Sequence, residues 1–122
     1  MNDEQNDVGT EVCIGILQEA FPDIEVTSEI PFDRPEDPMI QVSRTGGKQG
    51  EFVSEPTMQL LVWGSDDSSA SSMATTAIQS VVAAARDHES LSHAECTSME
   101  RDEWAAAGES RYRVQMKMVI NL

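Results

Sequence analysis

The sequence predicts an α+β fold in two layers: an antiparallel or mixed sheet of about five strands with two helices packed on it, in the order α-β-β-β-α-β-β. Three observations support this fold class. Two segments repeat apolar residues every three or four positions, the last twelve residues alternate apolar with polar side chains, and 122 residues suffice for one domain. We expect that domain over residues 8–122, preceded by a flexible acidic tail over residues 1–7.

The first half of the chain begins with a helix, predicted from Val8 to Phe21 by apolar residues at helical spacing and ended by Pro22. Alternation of apolar and polar residues predicts a strand over Ile24–Ile30. Three prolines between residues 31 and 38 then favour an extended, irregular connection. This connection leads into a short strand, predicted over Met39–Arg44.

A glycine-rich segment follows this strand and predicts a mobile loop, because three of its six residues are glycine. We expect the loop, with Lys48 at its middle, to be a docking element that a partner orders on binding. The candidate interface residues here are the residue before the loop and the six residues of the loop: Arg44, Thr45, Gly46, Gly47, Lys48, Gln49 and Gly50.

The middle of the chain supplies a central strand and the second helix. Thr57–Trp63 is apolar on both alternating sets of residues, which is typical of a strand inside a sheet. Ser65 or Asp66 is expected to cap a helix whose apolar series runs from Ala70 to Ala85. The other face of that helix carries small uncharged side chains, so either a neighbouring molecule or ordinary solvent covers it.

The last third of the chain predicts two more strands. A weakly alternating strand covers His93–Arg101, a loop covers Asp102–Ser110, and a strongly alternating strand covers Arg111–Leu122. At about 3.3 Å per residue, the last strand would be roughly 40 Å long, enough to extend beyond the sheet of its own subunit.

The charge of the chain is strongly negative, because 22 Asp and Glu against eight Lys and Arg give −14 at pH 7. Such a field repels phosphates and anionic lipid, so DNA-binding and membrane-surface roles are disfavoured. No segment predicts a membrane span, and residues 1–7 lack the features of a secretory signal. We therefore expect synthesis inside a cell, with Cys13 and Cys96 as free thiols.

The sequence offers little that predicts catalysis. Cys13 lies in the apolar stripe of the first helix, and negative charge beside Cys96 disfavours its thiolate. The carboxylates are too numerous to single out a catalytic pair. We therefore expect no enzyme activity and no cofactor. We also expect no metal site, because the spacing of His88, His93, Cys96 and Cys13 matches no common zinc-ligand pattern.

Basic and acidic residues are separated along the chain. Arg111, Arg113 and Lys117 lie on one face of the last strand, which contains no acidic residue, whereas the first 33 residues contain no basic one. Copies of the chain that meet edge to edge would bring these opposite charges together. Pairing of the same basic residues with acids of their own subunit explains the pattern equally well, so both alternatives stay open.

Several short motifs follow one another in an order that is similar to a known protein family. They are Val26–Pro31, Arg34 with Pro35, Ile40–Arg44 followed by Thr45, Gly46 and Gly47, Pro56–Gly64 with Ser65 leading into the alanine-rich helix, and Gly108, Arg111 and Tyr112 at the start of the last strand. Over about residues 8–122 the chain thereby resembles the tail terminator (tail completion) proteins of long-tailed bacteriophages, the siphoviruses.

The resemblance implies a small α/β fold that assembles into a six-fold ring in the neck of a virion, made in the host cytoplasm. Such a ring caps the head-proximal end of the tail tube, ends tube polymerisation and presents its other face to the head-completion or connector protein. No catalytic residue is implied. Six copies would carry six times −14, or −84, which suits a lumen that lets DNA pass without binding it.

Three other functions remain as alternatives. A neighbouring neck component, such as a head-tail stopper or connector, has a similar size and fold. A small monomeric binding module with an acidic surface belongs to a different class, and a small hydrolase that uses Cys96 or an Asp and Glu pair is the weakest alternative. The free protein is expected either as a ring or as a monomer that forms rings only on the tube.

Overall fold

The structure, a computed structural model, describes residues 7–29, 38–102 and 109–122. Its elements are α1 (Val8–Ala20), β1 (Glu25–Thr27), β2 (Met39–Gln49), β3 (Val53–Gly64), α2 (Asp67–Ala84), β4 (Leu91–Arg101) and β5 (Ser110–Asn121). The five strands form one sheet in the spatial order β1-β2-β3-β5-β4, in which β1 is parallel to β2 and the other neighbours are antiparallel. The predicted α+β class and the predicted order of elements are confirmed.

Both helices begin at an aspartate whose side chain accepts a hydrogen bond from the first turn. The Asp7 carboxylate accepts from the amide of Thr10 (2.9 Å), and the Asp66 carboxylate accepts from the amide of Ser69 (2.7 Å). Each such cap stabilises a helix by about 1 kcal/mol. Asp66 is therefore the cap of α2, and Asp7 belongs to α1 instead of the predicted flexible tail, whose other residues lie outside the described ranges.

The hydrophobic core lies between the two helices and one face of the sheet. Because side chains alternate along a strand, Met58, Leu60 and Val62 of the middle strand β3 point toward the helices, and all three are fully buried. The prediction of a central strand is thus confirmed. The helices contribute to the same buried cluster through Cys13, Ile16, Leu17, Ala74, Ala77 and Val81.

The first strand is shorter than predicted. Only Glu25–Thr27 pair with β2, and the chain bends away at Ser28 and Glu29. The side-chain amide of Gln41 donates to the carbonyl oxygen of Ser28 (3.1 Å), so a side chain takes the place of the next backbone partner. Ile30, the last residue of the predicted strand, and residues 31–37 of the proline-rich connection lie outside the described residues.

The last strand does not extend beyond the sheet of its own subunit, contrary to the prediction. β5 pairs with β3 from Ser110 to Asn121, and it pairs with β4 from Tyr112 to Ile120. Its length is therefore matched by neighbours on both sides. The long edge strand of the sheet is β4, where register shifts interrupt the regular pairing with β5 and make edge-to-edge association harder.

The two cysteines lie in contrasting environments, which predicts different reactivity. Cys13 is fully buried, and burial raises the pKa of its thiol to about 12, whereas Cys96 is half-buried in β4. Because the thiolate is the reactive form, we expect Cys96 to react with a soluble thiol reagent at pH 8 at least roughly tenfold faster than Cys13 in the native protein.

Denaturation should equalise the two rates, and in a Cys96→Ser variant the fast native reaction should disappear. The folded-state pKa of Cys13 lies above the ordinary value of 9.0, so its contribution to stability is present below pH 9 and is lost as the pH rises toward 12. Two thiols that react at equal rates in the native protein would contradict this packing of α1.

Candidate functional site

The sheet has one face that the two helices do not cover, here called the open face. Residues that alternate with the core positions line it, because partners in adjacent strands share a side of the sheet. Its polar members are Glu25, Thr27, Gln41, Ser43, Lys48, Glu55, Thr57, Gln59, His93, Glu95, Ser98, Glu100, Arg111, Arg113, Gln115, Lys117 and Asn121. The basic residues predicted on one face of the last strand, Arg111, Arg113 and Lys117, are all found here.

Arg111 is held in a tight cluster at one end of the open face. Its Nε donates to Oδ2 of Asp102 (2.8 Å), and its guanidinium carbon lies 5.2 Å from the ring centroid of Trp63. Trp63 is only 2% exposed, Asp102 is 6% exposed, and the indole NH of Trp63 donates to Glu109 (3.2 Å). Since these groups already satisfy one another, Arg111 fixes the end of β5 and is not a free contact residue.

Arg113 also has an acidic partner within its own subunit. Its guanidinium donates to Oε1 of Glu100 in β4 (2.7 Å), and this hydrogen bond raises the pKa of Arg113. The sequence left open whether these basic residues pair with acids of another copy or of their own subunit. In the structure, Arg111 and Arg113 both pair with acids of their own subunit.

The centre of the open face is polar but uncharged. The amide of Gln115 donates to the amide oxygen of Gln59 across the β3–β5 pair (3.2 Å). The hydroxyl of Thr97 donates to the backbone carbonyl of Gln115 (3.2 Å). Leu61 lies beside this group and is half-buried. The centre thus combines satisfied hydrogen bonds with some apolar surface, a composition that protein interfaces use.

Lys48 and Lys117 line a shallow cavity toward the other end of the open face. In the register of the sheet Lys48 is opposite Glu55, and Lys117 is opposite Glu95. His93, which lies 3.3 Å from Glu95, also lines this cavity. Neither lysine has an ion pair within 4.0 Å among the residues that the structure describes. The cavity therefore brings together two predicted interface residues from separate parts of the chain.

The prediction of a mobile loop after Arg44 is wrong, because residues Thr45–Gln49 continue the strand β2. The backbone from Gly46 to Gln49 pairs with β3, after a bulge that absorbs one extra residue between Arg44 and Gly46. The Arg44 side chain reinforces this hairpin by donating to the carbonyls of Gly46 (2.9 Å) and Lys48 (3.3 Å) and to the side-chain oxygen of Gln49 (3.1 Å).

The true turn of the hairpin lies at residues 50–52, and sequence reasoning missed the apolar residues beside it. The Gly50 amide donates to the carbonyl of Val53 (2.8 Å), and the Leu122 amide donates to the carbonyl of Phe52 (2.9 Å). Phe52 is 72% exposed and Leu122 is 55% exposed. We call Phe52, Val53 and Leu122 together the hairpin tip. In the sequence, continuing the alternation of β3 back to Val53 would have predicted the position of the turn correctly.

The residues considered for metal or nucleophilic chemistry are spread apart and have other partners. His88 Nδ1 accepts from the amides of Ser90 and Leu91 (3.1 and 3.2 Å), so it stabilises the chain at the start of β4. The Cys96 thiol donates to the carbonyl of Ser98 (3.3 Å). Within the described ranges, no group of three His, Cys, Asp or Glu residues could hold a metal ion.

Neither helix in the described part of the chain is both long and apolar enough to cross a membrane.

The fold is similar to a chain in a solved structure described as the virion of a native gene transfer agent (GTA) particle. The similarity covers 91% of this chain and 85% of that chain, with a TM-score of 0.55 and 12% sequence identity. At this identity the comparison shows a shared fold. No protein-family profile matches the chain, and no curated protein matches it.

The two adjacent glycines of the hairpin provide a matched test of its structure. Gly47 has φ of +99°, and an added Cβ would lie 2.1 Å from the Glu55 carbonyl oxygen, whereas an added Cβ at Gly46 would meet no atom within 4 Å. We expect Gly47→Ala to destabilise the protein by about 1–3 kcal/mol in urea unfolding, and the control Gly46→Ala to change it by less than about 0.5 kcal/mol. Equal, small effects would indicate the flexible loop that the sequence predicted.

Proposed function

We propose that this protein is a structural component of a phage-type virion, and more specifically a tail terminator. In this role a ring of copies caps the head-proximal end of the tail tube, stops tube growth and offers a docking surface to the head connector. The observation that carries the proposal is the likeness to a chain of a gene transfer agent virion over 91% of this chain. The order of motifs along residues 8–122, which resembles tail terminators, supports the finer assignment.

The side chains with reactive groups support a role without catalysis. Cys13 is buried with its thiol kept neutral, and the Cys96 thiol bonds to a backbone carbonyl. His88 accepts two backbone amides, and the buried Asp102 binds Arg111. Each of these groups serves the fold, so in this proposal the protein acts through the shape and charge of its surfaces.

The hairpin between β2 and β3 is the proposed docking element for a neighbouring tail or head protein. Because the hairpin is paired and held by Arg44, it is formed before a partner arrives, and docking costs little ordering entropy. The hairpin tip adds an exposed aromatic ring, the type of side chain that dominates interface energies. This replaces the mobile loop in the original hypothesis with a rigid projection.

The charge of the assembly supports passage of DNA without binding. Six copies would carry −84, and a wall of that sign repels phosphates instead of holding them. The tube protein and the connector would then be the binding partners, while DNA would only pass through the lumen.

A second function in the same class is a head-tail stopper or connector. The gene transfer agent particle is a whole virion, so likeness to one of its chains supports a neck component of either kind. The two functions differ in the partner that is bound first: the tube end for a terminator, the head for a stopper.

The direct test is polymerisation of the purified tail-tube protein of the same virion, with and without this protein. We expect added protein to stop tube elongation and to appear as a ring at one tube end in electron micrographs. The phenyl ring of Phe52 is expected to anchor the interface with about 2 kcal/mol, so Phe52→Ser should weaken capping roughly 30-fold. The variant Glu51→Gln, at the adjacent residue, is the control and should cap normally. Tubes that elongate unchanged, with the protein bound to heads instead, would favour the stopper.

A further inference from the structure

The negative charge of the chain is distributed unevenly between the open face and the rest of the molecule. Among the residues that the structure describes, four of the seven basic residues and six of the 16 acids belong to the open face, which leaves −2 there and −7 on the rest of the described surface. The basic residues are Lys48, Arg111, Arg113 and Lys117, and the acids are Glu25, Glu55, Glu95, Glu100, Asp102 and Glu109, counting the partners of Arg111 and Trp63. Like-charged copies therefore meet little repulsion at this face.

The outer surface of α2 is a second region with almost no charge. No charged residue occurs from Ser68 to Ala85. The hydroxyl of Thr75 donates to the carbonyl of Ser71 (3.1 Å), and that of Ser80 donates to the carbonyl of Thr76 (2.8 Å), so these donors are already satisfied within the helix. Burying such a surface would bury no charge.

These two regions lie on opposite sides of the fold. The inner side of α2 packs on the core face of the sheet through Ala70, Ala74, Ala77 and Val81, so its outer side points away from the open face. A copy that used one region would still have the other free for a further copy. Contacts of this head-to-tail kind continue from copy to copy and close into a ring when the rotation allows it.

We propose that the outer surface of α2 in one copy packs on the open face of the next copy, over Gln59 and Gln115. The inference rests on the proposed ring and names its contact. The contact would give the sheet a helical layer on both sides and would cover Leu61, which is half-buried in the single copy. Arg113 with Glu100, and Gln115 with Gln59, are paired beforehand, so the face is set in its bound arrangement.

A second copy fits this face better than an acidic or a basic partner does. The centre of the face carries no charge, and its charged flanks are paired or face opposite charges across strands, so a strongly charged partner would meet a net charge of only −2 there. Val82, which is 39% exposed on α2, supplies an apolar side chain to set against Leu61. Between copies of −14, repulsion is smallest where both surfaces are nearly neutral, and the outer surface of α2 and the open face satisfy this condition together.

The contact can be tested with one cysteine on each surface, in a Cys96→Ser background that keeps the buried Cys13. Thr76→Cys marks the exposed side of α2, and Ser98→Cys marks the open face opposite Gln115. A short bismaleimide is added where the wild type self-associates, in solution or on tail tubes. A mixture of the two single variants should give cross-linked dimers, and the double variant should give a ladder of higher oligomers.

The matched control places the helical cysteine on α1, at the exposed Gln18, and should give no cross-link to Ser98→Cys. A charge test adds a second measurement: Thr76→Glu should weaken self-association at least tenfold, and Gln18→Glu should not. A ring that forms without the Thr76–Ser98 cross-link, or with a Thr76–Thr76 cross-link, would overturn this contact and leave the proposed function intact. A wild type that never self-associates would overturn both.

Discussion

The structure depends most on burial of the sheet face that lies under the two helices. Alternate residues of β2, β3 and β5 point under the two helices, where Ile40, Leu60, Val114 and Met116 are completely shielded from water. At about 25 cal/mol per Å² of apolar surface, this packing is the main source of stability for a chain without disulfides. The same arrangement forces the remaining residues of each strand outward, so the open face is a direct consequence of how the core is built.

Because neither α1 nor α2 lies above the open face, polar residues on it pair with one another where partners are within reach. Arg111 and Asp102 do so around Trp63, and Arg113 does so with Glu100. These pairs hold the strands laterally and also leave the surface nearly balanced in charge. On a chain of −14, a surface with paired polar groups and a small net charge is suited to contact with another copy, which links the packing of the core to the proposed assembly.

Periodicity in the sequence was enough to predict the class and order of elements, since helix and strand spacing differ clearly in α2 and β5. It was not enough at Thr45–Gln49, where three glycines within six residues indicated a loop. There the exposed backbone of β3 supplied partners, and a bulge together with the positive φ of Gly47 allowed the strand to continue. The composition of the segment alone does not show that the strand after the turn supplies backbone hydrogen-bond partners, which explains the error.

The sequence predicted which basic residues share a face of the last strand, but it did not predict which residues they contact. The basic face of the last strand was found from alternation alone, yet the partner of Arg111 is Asp102, directly after β4, and the partner of Arg113 is Glu100 within β4. Similarly, Lys48 and Lys117 share a cavity only because β2 and β5 both flank β3. The exposed Phe52 had no periodic signal, because it stands in the turn and belongs to no alternating series.

The central claim is that the protein is a structural subunit that binds copies of itself through nearly neutral surfaces. Electron cryomicroscopy of tail-tube ends in the presence of this protein tests it most directly, because the symmetry and the orientation of each sheet become visible together. The account predicts a six-fold ring in which every open face is covered by α2 of the next copy. Tube ends without a ring, or a ring whose open faces contact only solvent, would contradict it.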